Sequence, residues 1–326
     1  MMELICPAGT PSAYREAANA GADAIYCGFR NATNARNFPG LNFSTEELAE
    51  AIAYGKARGV ATYVALNTFM RAGDEAIWYR AAADAVAAGA DALIVADMAL
   101  MAHVAQQFPE TRLHISVQAS ASNVEAIQFL VSSFGARRLV LPRVLTIREI
   151  AAIAGAVSCE LEVFAFGGLC VMAEGRCSLS SYVTGLSPNM QGVCSPASHV
   201  RYRADGDDMV SELAGFTINR FGAGEPAGYP TLCKGRFQIA DDHGYAFEDP
   251  VSLDVMNHIE ALAGAGVSAL KIEGRQRGKA YVAEVVRRLK EALNSTPIER
   301  CRHVEGLRLL SEGQRTTSGA YEKKWR

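Results

Sequence analysis

Four cysteines, Cys170, Cys177, Cys194 and Cys233, follow one another at the spacing C-x6-C-x16-C-x38-C. Thiolates are soft ligands, and four of them suit Zn2+ or an iron–sulfur cluster. Structural zinc sites prefer close C-x2–4-C knuckles, and none is present here. Four separate loop segments that meet at one centre fit a cluster several ångströms wide more easily than a single ion. The spacing leaves a second reading open, that these are scattered thiols of the kind common in protein cores. Cys6, Cys27, Cys159 and Cys301 read that way and are assigned no ligand role.

A second set of residues could do chemistry. Asn67, Asp97, Gln118 with Ser120, Arg143, and Glu273 with Arg275 each stand at or just past the end of an apolar run, and Asn34 and Arg36 follow another. If those runs are the strands of one barrel, these side chains ring one mouth of it. Polar residues at strand ends also cap helices or meet solvent, so each alone has a bland explanation. As a set on one face they read as a site, with Asn67, Gln118, Arg143, Glu273 and Arg275 as the candidate catalytic residues. In "LKIEGR" the alternation of a strand puts Lys271, Glu273 and Arg275 on one side. A barrel interior accepts such charges only when paired, which predicts a Lys271–Glu273 ion pair. Arg275, beyond the strand, is left to meet an anionic ligand, because its planar fork suits a carboxylate.

The elements that must position these residues follow one pattern. A short β-branched or aromatic run follows "GA" or a polar turn, and an Ala-rich amphipathic segment follows the run; "GADAIYCG" and "GADALIVAD" are near copies. Eight strands are expected, over 3–8, 24–28, 62–68, 92–97, 113–120, 138–144, 161–167 and 269–274. Runs without clean alternation fit strands buried on both faces of a parallel sheet. The clearest helix is Ser44 to Gly59, with Ser44 and Glu47 as a capping box and Gly59 at its stop. Eight β/α alternations predict an α/β fold of the closed (β/α)8 TIM-like barrel type, with an open doubly wound sheet as the rival. Residues 1–167 hold the first seven strands. Residues 168–250 form a cysteine-rich insertion after strand 7, expected over the barrel mouth. Residues 251–295 close the barrel, with the helix after the insertion starting at Ser252, and 296–326 form a polar tail.

With 326 residues, 49% hydrophobic and 21% charged, the chain can bury a large core, and its net charge of −3 disfavours nucleic acid as the main partner. No apolar run reaches the ~20 residues of a membrane span, and the first residues have no basic leader, so a cytoplasmic protein is expected. A reducing cytosol disfavours disulfides and makes metal binding the better reading of a cysteine cluster. The six histidines show no metal-ligand spacing, and there is no H-E-x-x-H, G-x-S-x-G, G-x-G-x-x-G or P-loop.

The stretch "EVFAFGGLCVMAEGRCSLS" resembles the signature of the collagenase-like peptidase family, matched at Glu162, Phe164, Gly167, Leu169, Cys170, Gly175, Cys177, Leu179 and Ser180. Gly168 stands where Ser or Ala is usual. "ELICPAG", "NFPGLNF", "LPRVLTI", "SPNMQGVCSPA", "GYPTLCKGR", "VSALKIEGRQR" and "GAYEKKWR" extend the resemblance over essentially the whole chain. They resemble the short members that act in oxygen-independent ubiquinone biosynthesis. The resemblance implies a 4Fe–4S cluster on Cys170, Cys177, Cys194 and Cys233. It also implies a hydroxylase subunit that forms a heterodimer with a homologous partner and works on a ubiquinone precursor. Prephenate as oxygen donor and a lipid-carrier protein are further expected partners, and Arg176, Lys234 and Arg236 are expected to favour the thiolates. A tRNA or rRNA hydroxylation factor is the alternative. A peptidase is the third reading, which no protease motif supports.

Overall fold

The computed structural model describes residues 2–311 and 315–322, and only the backbone of Cys301 and Arg302. The Cys301 thiol and the last residues of "GAYEKKWR" therefore lie outside the described residues. Strands β1 (Glu3–Pro7), β2 (Ala24–Cys27), β3 (Ala61–Leu66), β4 (Ala92–Val95), β5 (Arg112–Ile115), β6 (Arg138–Val140) and β7 (Glu160–Gly168) pair in sequence order, all parallel. The insertion carries β8 (Val200–Asp205), β9 (Asp208–Leu213) and β10 (Phe216–Phe221) as an antiparallel meander, and β11 (Arg236–Ile239) with β12 (Asp242–Tyr245) as a hairpin. After β13 (Ser252–Asp254), β14 (Ala269–Ile272) pairs in parallel with both β1 and β7 and closes the ring. That closure confirms the eight-stranded barrel and excludes the open sheet.

Helices α1 (Pro11–Asn19), α2 (Thr45–Lys56), α3 (Ala76–Ala87), α4 (Met98–Gln107), α5 (Val124–Phe134) and α6 (Ile147–Ala154) follow the first six strands. The short α7 (Leu179–Thr184) lies in the insertion, α8 (Ile259–Gly264) precedes β14, and α9 (Lys279–Leu293) and α10 (Pro297–Arg308) follow it. The capping box at Ser44 and Glu47 forms as expected. Expected strand ends were too long. The run 113–120 stops at Ile115 and turns through a 3-10 segment at Val117–Ala119, and 138–144 stops at Val140.

Inside the barrel, Ile5, Tyr26, Tyr63 and Ile94 pack with Ala24, Ala65, Ala92 and Ala269. Four alanines leave room in the tube, and charged side chains occupy it. Arg138 bonds Glu3 at 2.5 Å and Glu160 at 2.6 Å and lies 3.5 Å from Glu162, while Lys271 bonds Glu162 at 2.6 Å. Buried charges persist only with such partners.

The helix expected from Ser252 begins only at Ile259. Ser252–Asp254 is a strand, antiparallel to the last residues of β7 and parallel to β15 (Thr316–Thr317). The segment expected as a polar tail folds back: α10 packs on α9, and the buried Tyr321 hydroxyl donates to the Phe164 carbonyl at 2.7 Å. Asp254, at the end of β13, is half-buried; its carboxylate accepts from Met256 N–H at 2.9 Å, and burial pushes its pKa up to about 6. A carboxyl raised in the folded state binds more protons there than in the unfolded chain. Its contribution is therefore full below about pH 4 and lost as pH rises through 6. D254N keeps the acceptor oxygen and removes the charge. It should stabilise the protein at pH 7.5 by roughly 2–3 kcal/mol and not at pH 4, measured by thermal unfolding at both pH values; an equal effect at both would show that charge is not the cause.

Candidate functional site at the barrel mouth

Five side chains singled out from sequence, Asn67, Gln118, Arg143, Glu273 and Arg275, line one cavity of about 590 Å3, including its open mouth. They follow the C-terminal ends of four strands, β3, β5, β6 and β14, with Glu273 and Arg275 both after β14; this is the end at which barrels of this type place their sites. Arg36, Lys271 and Glu174 line it as well.

The insertion is seated on this mouth. A Cβ added to Gly175 (φ +83°) would stand 1.9 Å from the Gln118 carbonyl oxygen, and one added to Gly192 (φ +70°) 1.4 Å from that of Ala35. Only glycine allows both the positive φ and the close approach. Arg36 Nη1 donates to the Gly192 carbonyl at 2.6 Å. Arg143 ties the cysteine loop down from below. Its Nε donates to Glu174 Oε1 at 2.6 Å, its Nη1 donates to the Gly168 carbonyl, and its guanidinium lies 4.0 Å from the centre of the Phe164 ring. Burial works against the Arg143 charge, but Glu174 and the neighbouring Cys170 hold it above its ordinary pKa. Glu174 is 7% exposed. Sequence reading missed it; its only signal was an acid between Cys170 and Cys177.

The charges in "LKIEGR" do face one cavity, but the expected Lys271–Glu273 pair does not form. Lys271 bonds Glu162 across the β14–β7 pairing. Glu273 instead accepts from Gly168 N–H at 3.2 Å and lies 3.8 Å from Arg36. Non-local pairing of strands selects the partner, and the spacing along one strand could not show it. Arg275, 4% exposed, donates to Asn34 Oδ1 at 3.0 Å and has no ion pair among the described residues; burial draws its pKa down to about 10. The Gln118 Oε1 is buried without a partner. Asn67 holds the loop, accepting from Ala35 N–H and donating to Ser116 Oγ. Asp97 takes the bland role: it caps α4, accepting from Ala99 and Leu100 N–H. Ser120 ends the 3-10 turn at φ +54°.

The four cysteines of the insertion carry free thiols, none buried like Cys6 and Cys27 in β1 and β2. Cys194 lies close enough to act electrostatically on Cys170, Cys177 and Cys233, and Cys177 acts on Cys233. Among the described residues, no three His, Cys, Asp or Glu side chains are grouped so as to hold a metal ion. Burial raises Cys170 to about 12, with Glu174 adding and Arg143 opposing. Burial also raises Cys233, to about 11, against Lys234. Of the basic residues expected to favour the thiolates, Lys234 does so at Cys233, where burial outweighs it, while Arg176 and Arg236 do not figure among the groups acting on Cys170, Cys177 or Cys233. Arg236 is paired with Glu225. The loops are pinned by Ser180 Oγ donating to the Cys194 carbonyl and Asn189 Nδ2 donating to that of Cys177 at 3.0 Å.

Among known proteins, this chain is 32% identical over 311 residues to the "tRNA hydroxylation protein P" of Escherichia coli, covering 90% of this chain and 68% of that protein. It is 31% identical to the "23S rRNA 5-hydroxycytidine C2501 synthase" of the same organism, covering 92% of this chain but 40% of the relative. The "Collagenase" of Porphyromonas gingivalis is 30% identical, with 90% and 66% covered. Residues 9–321 match Peptidase family U32, so with its barrel, its signature cysteines and these relatives the chain belongs to Peptidase family U32.

Proposed function

We propose that the protein is an oxygen-independent hydroxylation factor that holds a 4Fe–4S cluster on Cys170, Cys177, Cys194 and Cys233. The observation that carries this reading is the set of four free thiols around Cys194, next to a mouth cavity lined by Arg36, Arg143 and Arg275. When bound, the cluster would supply one-electron chemistry or a rigid frame for the insertion. The chain's own residues do the rest. Arg275, buried and without a carboxylate at ion-pair distance among the described residues, binds an anionic co-substrate at the mouth, for which prephenate, a dicarboxylate, is the expected donor of the hydroxyl oxygen. Gln118 Oε1, unsatisfied in the cavity, accepts a hydrogen bond from the same ligand. Glu174 and Arg143 keep the cluster segment in register with that cavity. A protease role has no support from the site: among the described residues lining the cavity, the one hydroxyl of a serine, that of Ser116, is bonded to Asn67 Nδ2 and Gln118 N–H and not to a general base.

Two targets stand. Two of the three relatives named above carry the names of RNA hydroxylation proteins, and they favour an RNA base more strongly than a quinone precursor. The quinone reading rests on the whole-chain resemblance to UbiU, which acts with a UbiV-like homologous subunit on ubiquinone precursors, and on the net charge of −3. On that reading the protein is cytoplasmic, forms a heterodimer with the UbiV-like chain and receives its precursor on a lipid carrier. Among the described residues no helix is long and apolar enough to cross a membrane. Deletion of the gene followed by anaerobic growth separates the targets. A missing 5-hydroxycytidine or other ring-hydroxylated nucleoside in RNA supports the first, and accumulation of a quinone precursor lacking one ring hydroxyl supports the second. Normal RNA and normal quinones would overturn both.

A further inference from the structure

The hydroxylation reading gives no role to Lys271, although its amine is the one nucleophilic nitrogen among the residues named at the cavity. Lys271 is 5% exposed and lines the mouth cavity together with Arg275. Both cations sit at the Tyr26 ring, with Lys271 Nζ 3.9 Å and Arg275 Cζ 5.5 Å from its centre. The Lys271 amine bonds one carboxylate, Glu162 Oε1, at 2.6 Å; Arg138 lies 3.5 Å from Glu162 Oε2. Glu162 thus keeps a cationic neighbour whether or not Lys271 is charged. Desolvation and adjacent cations are what make an enzyme lysine nucleophilic, and here burial, with Arg275 and Arg138, draws the Lys271 pKa down against the pull of Glu162. At the same ring is the buried Arg275 guanidinium, which no carboxylate of the described residues meets at ion-pair distance, Glu273 acting on it only from further off; that points to an anion supplied from outside.

An amine for a carbonyl carbon and a fork for a carboxylate, in one cavity, match one ligand class. We propose that Lys271 captures the keto carbon of a 2-oxo acid as an imine while Arg275 holds its carboxylate. The step balances without an external oxidant or reductant. The proton on Lys271 Nζ passes to Glu162 Oε1. The freed lone pair adds to the keto carbon, and a proton moves from nitrogen to oxygen to give the carbinolamine. Glu162 returns its proton to the departing hydroxyl. The C–O bond breaks, water leaves, and the protonated imine stays paired with Glu162. This inference goes beyond hydroxylation and does not depend on it, because the adduct is read without a hydroxyl acceptor.

The test uses the full chain, purified anaerobically, with pyruvate as the smallest 2-oxo acid and borohydride to reduce the imine. Peptide mass spectrometry then locates the adduct. The expected result is reduced pyruvyl-lysine at Lys271 well above the level at Lys56, Lys234, Lys279 and Lys290. K271R, which keeps the charge beside Glu162, should lose it. R275Q should raise the pyruvate concentration for half-maximal trapping about tenfold, the effect of one charge-assisted bidentate contact. Labelling of Lys271 no greater than that of the other lysines, in the wild-type protein, overturns the proposal whatever the variants do. Normal RNA and quinone hydroxylation in the deletion strain, with trapping intact, would instead count against the proposed function alone.

Discussion

Replacing any one of Cys170, Cys177, Cys194 or Cys233 by alanine should strip most of the iron and sulfide from anaerobically reconstituted protein. C6A, C27A and C159A should retain the wild-type content. Cys6 and Cys27 lie in β1 and β2, fully buried, where burial raises both thiols and no other cysteine of the insertion reaches them. The insertion cysteines stand on loops that few apolar side chains anchor. Between Cys170 and His199 the buried residues are Glu174, Ser180, Ser195 and other small or polar groups, with Leu169 just before. Metal binding in such a segment contributes to its folding. The same variants should therefore show faster amide exchange over residues 170–195 while the barrel strands stay protected. Full iron in C170A or C233A, or its loss in C6A, would show that the ligand set is wrong.

Breaking the Arg143–Glu174 pair should be the costliest change that touches no cysteine. Both side chains are buried, and Arg143 also satisfies the Gly168 carbonyl. R143A leaves a buried carboxylate and a carbonyl without a donor, and such losses cost roughly 3–5 kcal/mol. E174Q keeps an acceptor oxygen and should cost less than R143A. The double variant R143M/E174M should recover much of the loss, because a buried ion pair replaced by packed apolar groups is often close to neutral. Thermal and denaturant unfolding measure this. A loss under about 1 kcal/mol in R143A would mean that the pair is screened and does not clamp the loop. Cluster spectra of E174Q separate stability from positioning, since a shifted signal at full iron content reports a displaced cysteine loop.

Much of the architecture was legible because its signals are local. The repeated "GADA" turns, the unbroken apolar runs and the Ser44–Glu47 capping box each work within one turn or one strand. They therefore predicted strands, helices and their alternation, and with them the barrel. The mouth residues followed, since a closed parallel barrel puts all strand C-termini on one face; Asn67, Gln118, Arg143, Glu273 and Arg275 do share one cavity. Boundaries were less legible. Val117–Ala119 continues an apolar run but turns as a 3-10 segment, and Ser252–Asp254 reads as a helix start but is drawn into pairing with β7 and β15.

By itself the sequence determined the fold class, the face on which polar residues gather and the four cysteines of the insertion. Only the tertiary structure decided who partners whom. Lys271 pairs with Glu162, 109 residues away, because β14 lies beside β7, while its neighbour Glu273 turns to Gly168 and Arg36. Arg143 meets Glu174 because the loop after β7 folds back over β6. Gly175 and Gly192 are required where a loop backbone meets Gln118 and Ala35, residues more than fifty positions away. The physical reason is range. Propensity and periodicity act over a few residues, whereas a buried charge takes whichever partner the closed barrel brings within hydrogen-bond distance.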